Sequence, residues 1–273
     1  MSNTTVRILV SVIAIPLILF VTYLGGYLFL LFALFIGLAG FYEFDGMLKK
    51  KNIKVNLTIG YLAVAALILN QYFKFVQFEF LLIVIVLLLL VFELFRNNGS
   101  ASANLGGSLL GVFYIGLFAS AIVGIREAYV DSIFPYSSGG LIIIAVFASI
   151  WLCDSAAFFI GSAFGKHKLF PRVSPNKSWE GAIAGFFFAI AGLVAAHFIA
   201  VDFICIGQSM TIGMIVGIFG QMGDLVESLI KRDAGVKDSS SLIPGHGGIL
   251  DRFDSFLFSA PFIYLFMKYF VVG

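Results

Sequence analysis

Three short stretches hold most of the residues whose types and spacing could do chemistry. The first is GQMGDLVESLIKR, 220–232. On a helix Asp224, Glu227, Ser228 and Lys231 recur at three- and four-residue spacing and share one face. Gly220 and Gly223, one turn earlier, allow close approach of a helix or ligand. Glu227 and Lys231 could simply pair. Asp224 lies two turns from the basic residues and is better read as a ligand to a metal or another polar site. The second stretch is KDSSSLIPGHGGILDRFDSF, 237–256. Gly245, Gly247 and Gly248 flank His246, and glycines let backbone amides approach an oxyanion. Asp251, Arg252 and Asp254 follow at once, and Asp251 and Asp254 share a helical face. Two carboxylates beside a glycine-rich, cation-rich loop suit magnesium, which takes oxygen ligands and phosphates together. The alternative for this pair is compensation of a helix N-terminal dipole. The third stretch is RVSPNKSWEG, 172–181. Pro175 and Ser178 predict a turn and a helix start, with Glu180 favourable in the first turn. Arg172 and Lys177 bracket that turn as an anion site, or as plain cytoplasmic anchors.

The elements that must position these residues are apolar. The chain has 273 residues, 60% hydrophobic and only 12% charged, about half the roughly 25% charge of soluble domains. That excludes a soluble domain, a disordered chain and a secreted disulfide scaffold. It leaves a polytopic helical membrane protein. A β-barrel would alternate apolar and polar residues. This chain instead has unbroken runs such as Phe80 to Phe92, bounded by Glu79 and Glu93. A net charge of +2 gives no reason to expect nucleic acid. Cys153 and Cys205 stand 52 positions apart in apolar surroundings, with no zinc or disulfide pattern.

Hydropathy predicts an all-α bundle of nine transmembrane helices, near 7–24, 26–46, 57–74, 78–95, 103–125, 138–162, 179–201, 209–230 and 253–271. The first is read as an uncleaved span rather than a signal peptide. Spans one to five make an N-terminal region, 1–137. Spans six to nine make a catalytic region, 138–273, with polar loops 163–178 and 231–252. This layout puts fourteen of seventeen Lys and Arg on one face, with Lys74, Arg126 and Lys268 opposite. The expected N-terminus and site are therefore cytoplasmic. Eleven of fifteen acids lie in or near the same half, among them Glu43, Asp45 and Asp154. Asp154, inside the sixth span, is costly there and defaults to a functional hypothesis. Gly107/Gly111, Gly161/Gly165, Gly181/Gly185 and Gly213/Gly217 permit close helix packing, within the fold or at a dimer contact. The residues alone reach metal-dependent phosphoryl or nucleotidyl transfer to a lipid.

Residues 228–254, SLIKRDAGVKDSSSLIPGHGGILDRFD, resemble the signature of the phosphatidate cytidylyltransferases, also called CDP-diacylglycerol synthases. Ser228, Lys231, Arg232, Lys237, Asp238, Pro244, His246, Gly247, Gly248, Asp251, Arg252 and Asp254 fall in register. WLCDSAAFFIGSAFGK and SPNKSWEG resemble family sequence too, whereas residues 1–140 do so only in hydropathy. The resemblance implies that CTP and phosphatidate give CDP-diacylglycerol and pyrophosphate. It also implies a homodimer, and magnesium with a monovalent cation such as K+ sharing the site. Asp224 and Asp251 match as metal ligands, with Asp254 beside them. Lys231, Arg232, Lys237 and Arg252 would hold CTP phosphates or pyrophosphate, in a loop that includes Asp238, Gly247 and Gly248. Arg172, Lys177 and Ser178 would hold phosphatidate or a CTP phosphate, and His246 could donate to a phosphate oxygen. The expected setting is a bacterial cytoplasmic membrane. Competing readings are a CTP-dependent polyprenol kinase, an ether-lipid cytidylyltransferase, an ion-binding transporter and a membrane scaffold.

Overall fold

The computed structural model describes residues 3–130, 132–243 and 245–272. Pro244 of the glycine-rich motif and the side chain of Arg7 lie outside the described residues. The described chain is mostly helical. Helices α1 (Asn3–Leu24), α2 (Gly26–Lys49), α3 (Leu57–Phe73), α4 (Phe78–Leu94), α5 (Ala101–Arg126), α6 (Ser137–Phe164), α7 (Trp179–Ile199), α8 (Ile206–Asp233) and α9 (Leu250–Phe270) follow one another along the sequence. Five of them, α2, α5, α6, α7 and α8, are long and apolar enough to cross a membrane. α3 and α4 have 17 residues each, or roughly 26 Å at the helical rise, close to the thickness of a hydrocarbon core. Along α4 the side chains of Phe80, Ile83, Leu87, Leu90 and Val91 are exposed. Lipid tolerates such a surface and water does not.

Local sequence explains the helix ends. Gly25 and Gly26 adopt positive φ and make the tight turn between α1 and α2. The Asn56 side chain caps α3 by accepting from the Ile59 amide, and Ser100 caps α5 by accepting from the Ala103 amide. Two helices carry a π-helical turn, Val112–Leu117 in α5 and Val216–Gly220 in α8. The second lies immediately before the turn that carries Asp224.

A short hairpin interrupts the helices. Lys168–Phe170 (β1) and Ser174–Ser178 (β2) form an antiparallel hairpin between α6 and α7. Pro175 therefore sits in a strand rather than the expected turn. The predicted helix start holds: Ser178 accepts from the Gly181 amide at 3.2 Å and caps α7.

The chain divides into two compact units, and neither is a continuous half. Unit 1 is Met1–Leu17, Gly26–Gly124 and Ile230–Phe253; unit 2 is Ile18–Gly25, Ile125–Leu229 and Asp254–Gly273. Loop 234–249 joins the N-terminal helices because Glu43 of α2 binds it. Unit 1 has its core around Phe41, Phe44, Leu67, Ile68, Val112 and Ile115, all buried. In unit 2, α6 packs along α7 and α7 along α8. The four Gly-xxx-Gly pairs make their close approaches inside the chain. A Cβ at Gly107 or Gly111 would strike Leu48 or Phe41; one at Gly161, Gly181 or Gly185 would meet its counterparts across the α6–α7 contact. Gly213 and Gly217 lie against Ile190 and Phe186, and Gly165 against Ser178.

Candidate active site

In unit 1 the glycine-rich loop wraps two carboxylates. Asp251 opens α9. Its Oδ1 accepts from Lys231 Nζ at 2.5 Å, and its Oδ2 accepts from the Ser239 amide (2.9 Å), the Ser239 hydroxyl (2.9 Å) and the Gly248 amide (2.8 Å). Glu43, 1% exposed, takes four more donors: the hydroxyls of Ser239 (2.8 Å) and Ser240 (2.6 Å), and the amides of Ile249 (2.8 Å) and Leu250 (2.9 Å). Glu43 therefore satisfies amides at the start of α9 and complements its dipole. Sequence reasoning counted Glu43 among the cytoplasmic acids and gave it no role. The available signal was an acid inside an apolar helix, which must find donors.

These bonds give the loop's amides partners within the chain. The amides of Ser239, Gly248, Ile249 and Leu250 face oxyanions, but the oxyanions are the protein's own carboxylates. The same contacts explain Gly248, where a Cβ would collide with Ser239 Oγ and the Glu43 carboxylate. Gly247, at φ +83°, lies against Asp251. His246 Nε2 is 3.1 Å from Ser11 Oγ of α1, and Arg252 Nε donates to the His246 carbonyl at 2.8 Å. Arg232 Nη1 donates to the Val236 carbonyl at 2.9 Å and remains exposed, as do Lys237 and Asp238. Beside the loop, Tyr42, Glu43, Asp45, Lys49, Ser239 and Ser240 help line a cavity.

In unit 2 the centre is Asp224. Its Oδ2 accepts from Lys177 Nζ at 2.6 Å and its Oδ1 from the Ser228 hydroxyl at 3.3 Å. β2 brings Lys177 there, one residue before the α7 cap. Asp254 lies within electrostatic reach of Asp224, Asp154 and Lys177. Its Oδ1 accepts from the Ser255 amide at 2.6 Å. A Cβ at Gly223 would lie 2.6 Å from the Asp254 carbonyl oxygen, so that glycine is what lets α8 and α9 approach at this level. Ser178 is buried and spends its hydroxyl on the α7 cap, while Arg172 is exposed.

The metal expected from the sequence is magnesium. Asp224 and Asp251, the two carboxylates expected to bind it, each already hold a cation, a lysine ammonium at 2.6 and 2.5 Å. Among the described residues no three Asp, Glu, His or Cys side chains form a metal cage. A magnesium site does not need one. The ion usually takes one or two carboxylates and completes its shell with water and phosphate oxygens.

The chain matches the model of the cytidylyltransferase family over residues 5–270. It belongs to that family. A phosphatidate cytidylyltransferase of Bacillus subtilis (strain 168) is 34% identical over 269 residues, which cover 97% of each chain. One from Brucella suis is 34% identical over 271 residues, 97% of this chain and 94% of its own. One from Staphylococcus haemolyticus is 36% identical over 263 residues, 94% and 96%. The family match extends across the N-terminal helices, which resembled the family only in hydropathy. Glu43 lies on one of those helices.

Proposed function

We propose that the protein is a phosphatidate cytidylyltransferase, making CDP-diacylglycerol and pyrophosphate from CTP and phosphatidate within phospholipid biosynthesis. The observation that carries this reading is the pairing of Lys177 with Asp224 and of Lys231 with Asp251. It sets carboxylates for a metal beside cations for phosphates, on helices otherwise built for a bilayer.

The phosphatidate phosphate is the nucleophile. As a phosphomonoester with a second pKa near 6, it is mostly dianionic at neutral pH, so no strong general base is required. One of its oxygens attacks the α-phosphorus of CTP. A new P–O–P bond forms, the bond from the α-phosphorus to the bridging oxygen breaks, and pyrophosphate leaves with that electron pair. The barrier is mainly the repulsion of two polyanions, which positioning and fixed positive charge lower. In unit 2 Asp224, with Asp254 beside it, and in unit 1 Asp251 are the carboxylates that would hold magnesium. Bound magnesium supplies charge neutralisation on the phosphates and a template for in-line attack. Lys177 and Lys231 carry the ammonium groups nearest those carboxylates and bind phosphate oxygens. Arg232, Lys237 and Arg252 add donors for the CTP triphosphate and the leaving pyrophosphate, and Arg172 for the lipid phosphate. Glu43 and the Gly247–Gly248 turn hold Asp251 in place.

In the same reading the chain spans a bacterial cytoplasmic membrane nine times as a homodimer. Its N-terminus and site face the cytoplasm, and a monovalent cation joins magnesium. Assaying labelled CTP with phosphatidate, a polyprenol and an ether-linked acceptor side by side tests the proposal. Label should pass to phosphatidate with release of pyrophosphate. Transfer of the γ-phosphate to polyprenol instead would replace this reading with a kinase.

A further inference from the structure

The hairpin between α6 and α7 carries, beside Arg172, two exposed cations, Lys166 and Lys168, that the reaction chemistry leaves unused. Both flanking helices are long and apolar enough to cross a membrane, so chain continuity keeps the hairpin near a bilayer surface. From Phe164 to Arg172 every residue except Leu169 is exposed. Phe164 is 69% exposed, Phe170 54% and Trp179 53%. Among the described residues Lys166, Lys168 and Arg172 make no ion pair, and the acid nearby, Glu180, is engaged by His167 Nδ1 at 2.7 Å. Lys168 and Phe170, two positions apart on β1, share the face opposite Leu169. Lys168 pairs across the hairpin with Ser178. Next to Ser178 on β2 is Lys177, which reaches Asp224.

Aromatic rings at a bilayer interface sit at the level of the head groups. Cations there draw anionic lipids. A surface with three unpaired cations, three exposed rings and no free acid is complementary to an anionic leaflet. We propose that this hairpin is an interfacial foot that gathers anionic head groups and feeds phosphatidate to Lys177. The inference rests on phosphatidate being the acceptor. A phosphomonoester head group carries about two negative charges at neutral pH, so the foot favours it over lipids of single charge.

The test compares the full-length protein with a Lys166→Gln/Lys168→Gln double variant, both in phosphatidylcholine vesicles with increasing phosphatidate. Wild-type turnover is measured first. Absence of CTP-dependent pyrophosphate release there would overturn the functional reading and leave the foot to be judged by lipid binding alone. The double variant should need a roughly ten-fold higher mole fraction of phosphatidate for half-saturation, with the KM for CTP unmoved. Phosphatidate co-purifying with the detergent-extracted protein, which requires no turnover, should fall in the variant and fall with added salt in the wild type. Adding phosphatidylglycerol should raise the half-saturation point of the wild type more than that of the variant. Equal half-saturation together with equal, salt-insensitive lipid retention would overturn the proposal.

Discussion

Asp224 and Asp251 each hold a lysine ammonium where a metal and its phosphates are expected, so their substitution is the most direct perturbation of the chemistry. Asp224→Asn and Asp251→Asn should each lower CTP-dependent turnover by at least ~100-fold. Both variants should still elute as folded protein in detergent. Lys268→Ala, at an exposed position over the Tyr269 ring, should leave turnover within about two-fold, as surface changes usually do. Glu43→Gln keeps the size of the side chain but removes the charge that four donors share. Turnover should fall and the loop should become more open to proteolysis, while CTP still reacts at a residual rate. The aspartates stood out in the sequence as acids in or beside apolar helices, but their lysine partners, 47 and 20 positions away, are set by tertiary contact. The role of Glu43 was not legible there, since its partners Ile249 and Leu250 lie 206 and 207 positions away and no local period links them. The glycines were recognised as a place of close approach. What approaches them, a carboxylate of the same chain, depends on tertiary contact.

Helices were legible for a different reason: long apolar runs ended by Gly25–Gly26, Asn56, Ser100 and Ser178 leave little choice of boundary. The hairpin escaped because its strands are short and polar, and because Pro175 reads as a turn. The end of α1 depends on a residue from another helix. Arg126 is fully buried and donates to the carbonyls of Thr22 (2.8 Å), Tyr23 (3.0 Å) and Tyr136 (3.0 Å). Its guanidinium also lies 4.1 Å from the centre of the Tyr136 ring. It thereby satisfies carbonyls that the helix end leaves open. Arg126→Ala should destabilise the protein by about 2–4 kcal/mol, seen as a lower thermal midpoint in detergent. The KM for CTP should be unchanged in material that remains folded. An unchanged midpoint would show that the cage contributes nothing to stability.

Low charge, at 12% of residues, identified a membrane protein at the scale of the whole chain. The asymmetry of Lys and Arg proposes its orientation. The division into two units was not legible. It follows from loop 234–249 bonding back to α2, and the loop is far from α2 in sequence. Cys205 is exposed between α7 and α8, whereas Cys153 is buried in α6. With a cytoplasmic N-terminus and nine crossings, a membrane-impermeant maleimide added to intact cells should label Cys205 and spare Cys153. Labelling of Cys205 only after lysis would reverse the orientation. The central claim, that these carboxylates and lysines serve cytidylyl transfer to a lipid phosphate, is tested most directly by pyrophosphate release from CTP by the purified protein. The release should require both phosphatidate and magnesium, and equal the CDP-diacylglycerol formed. Release that ignores phosphatidate, or none with every component present, would contradict it.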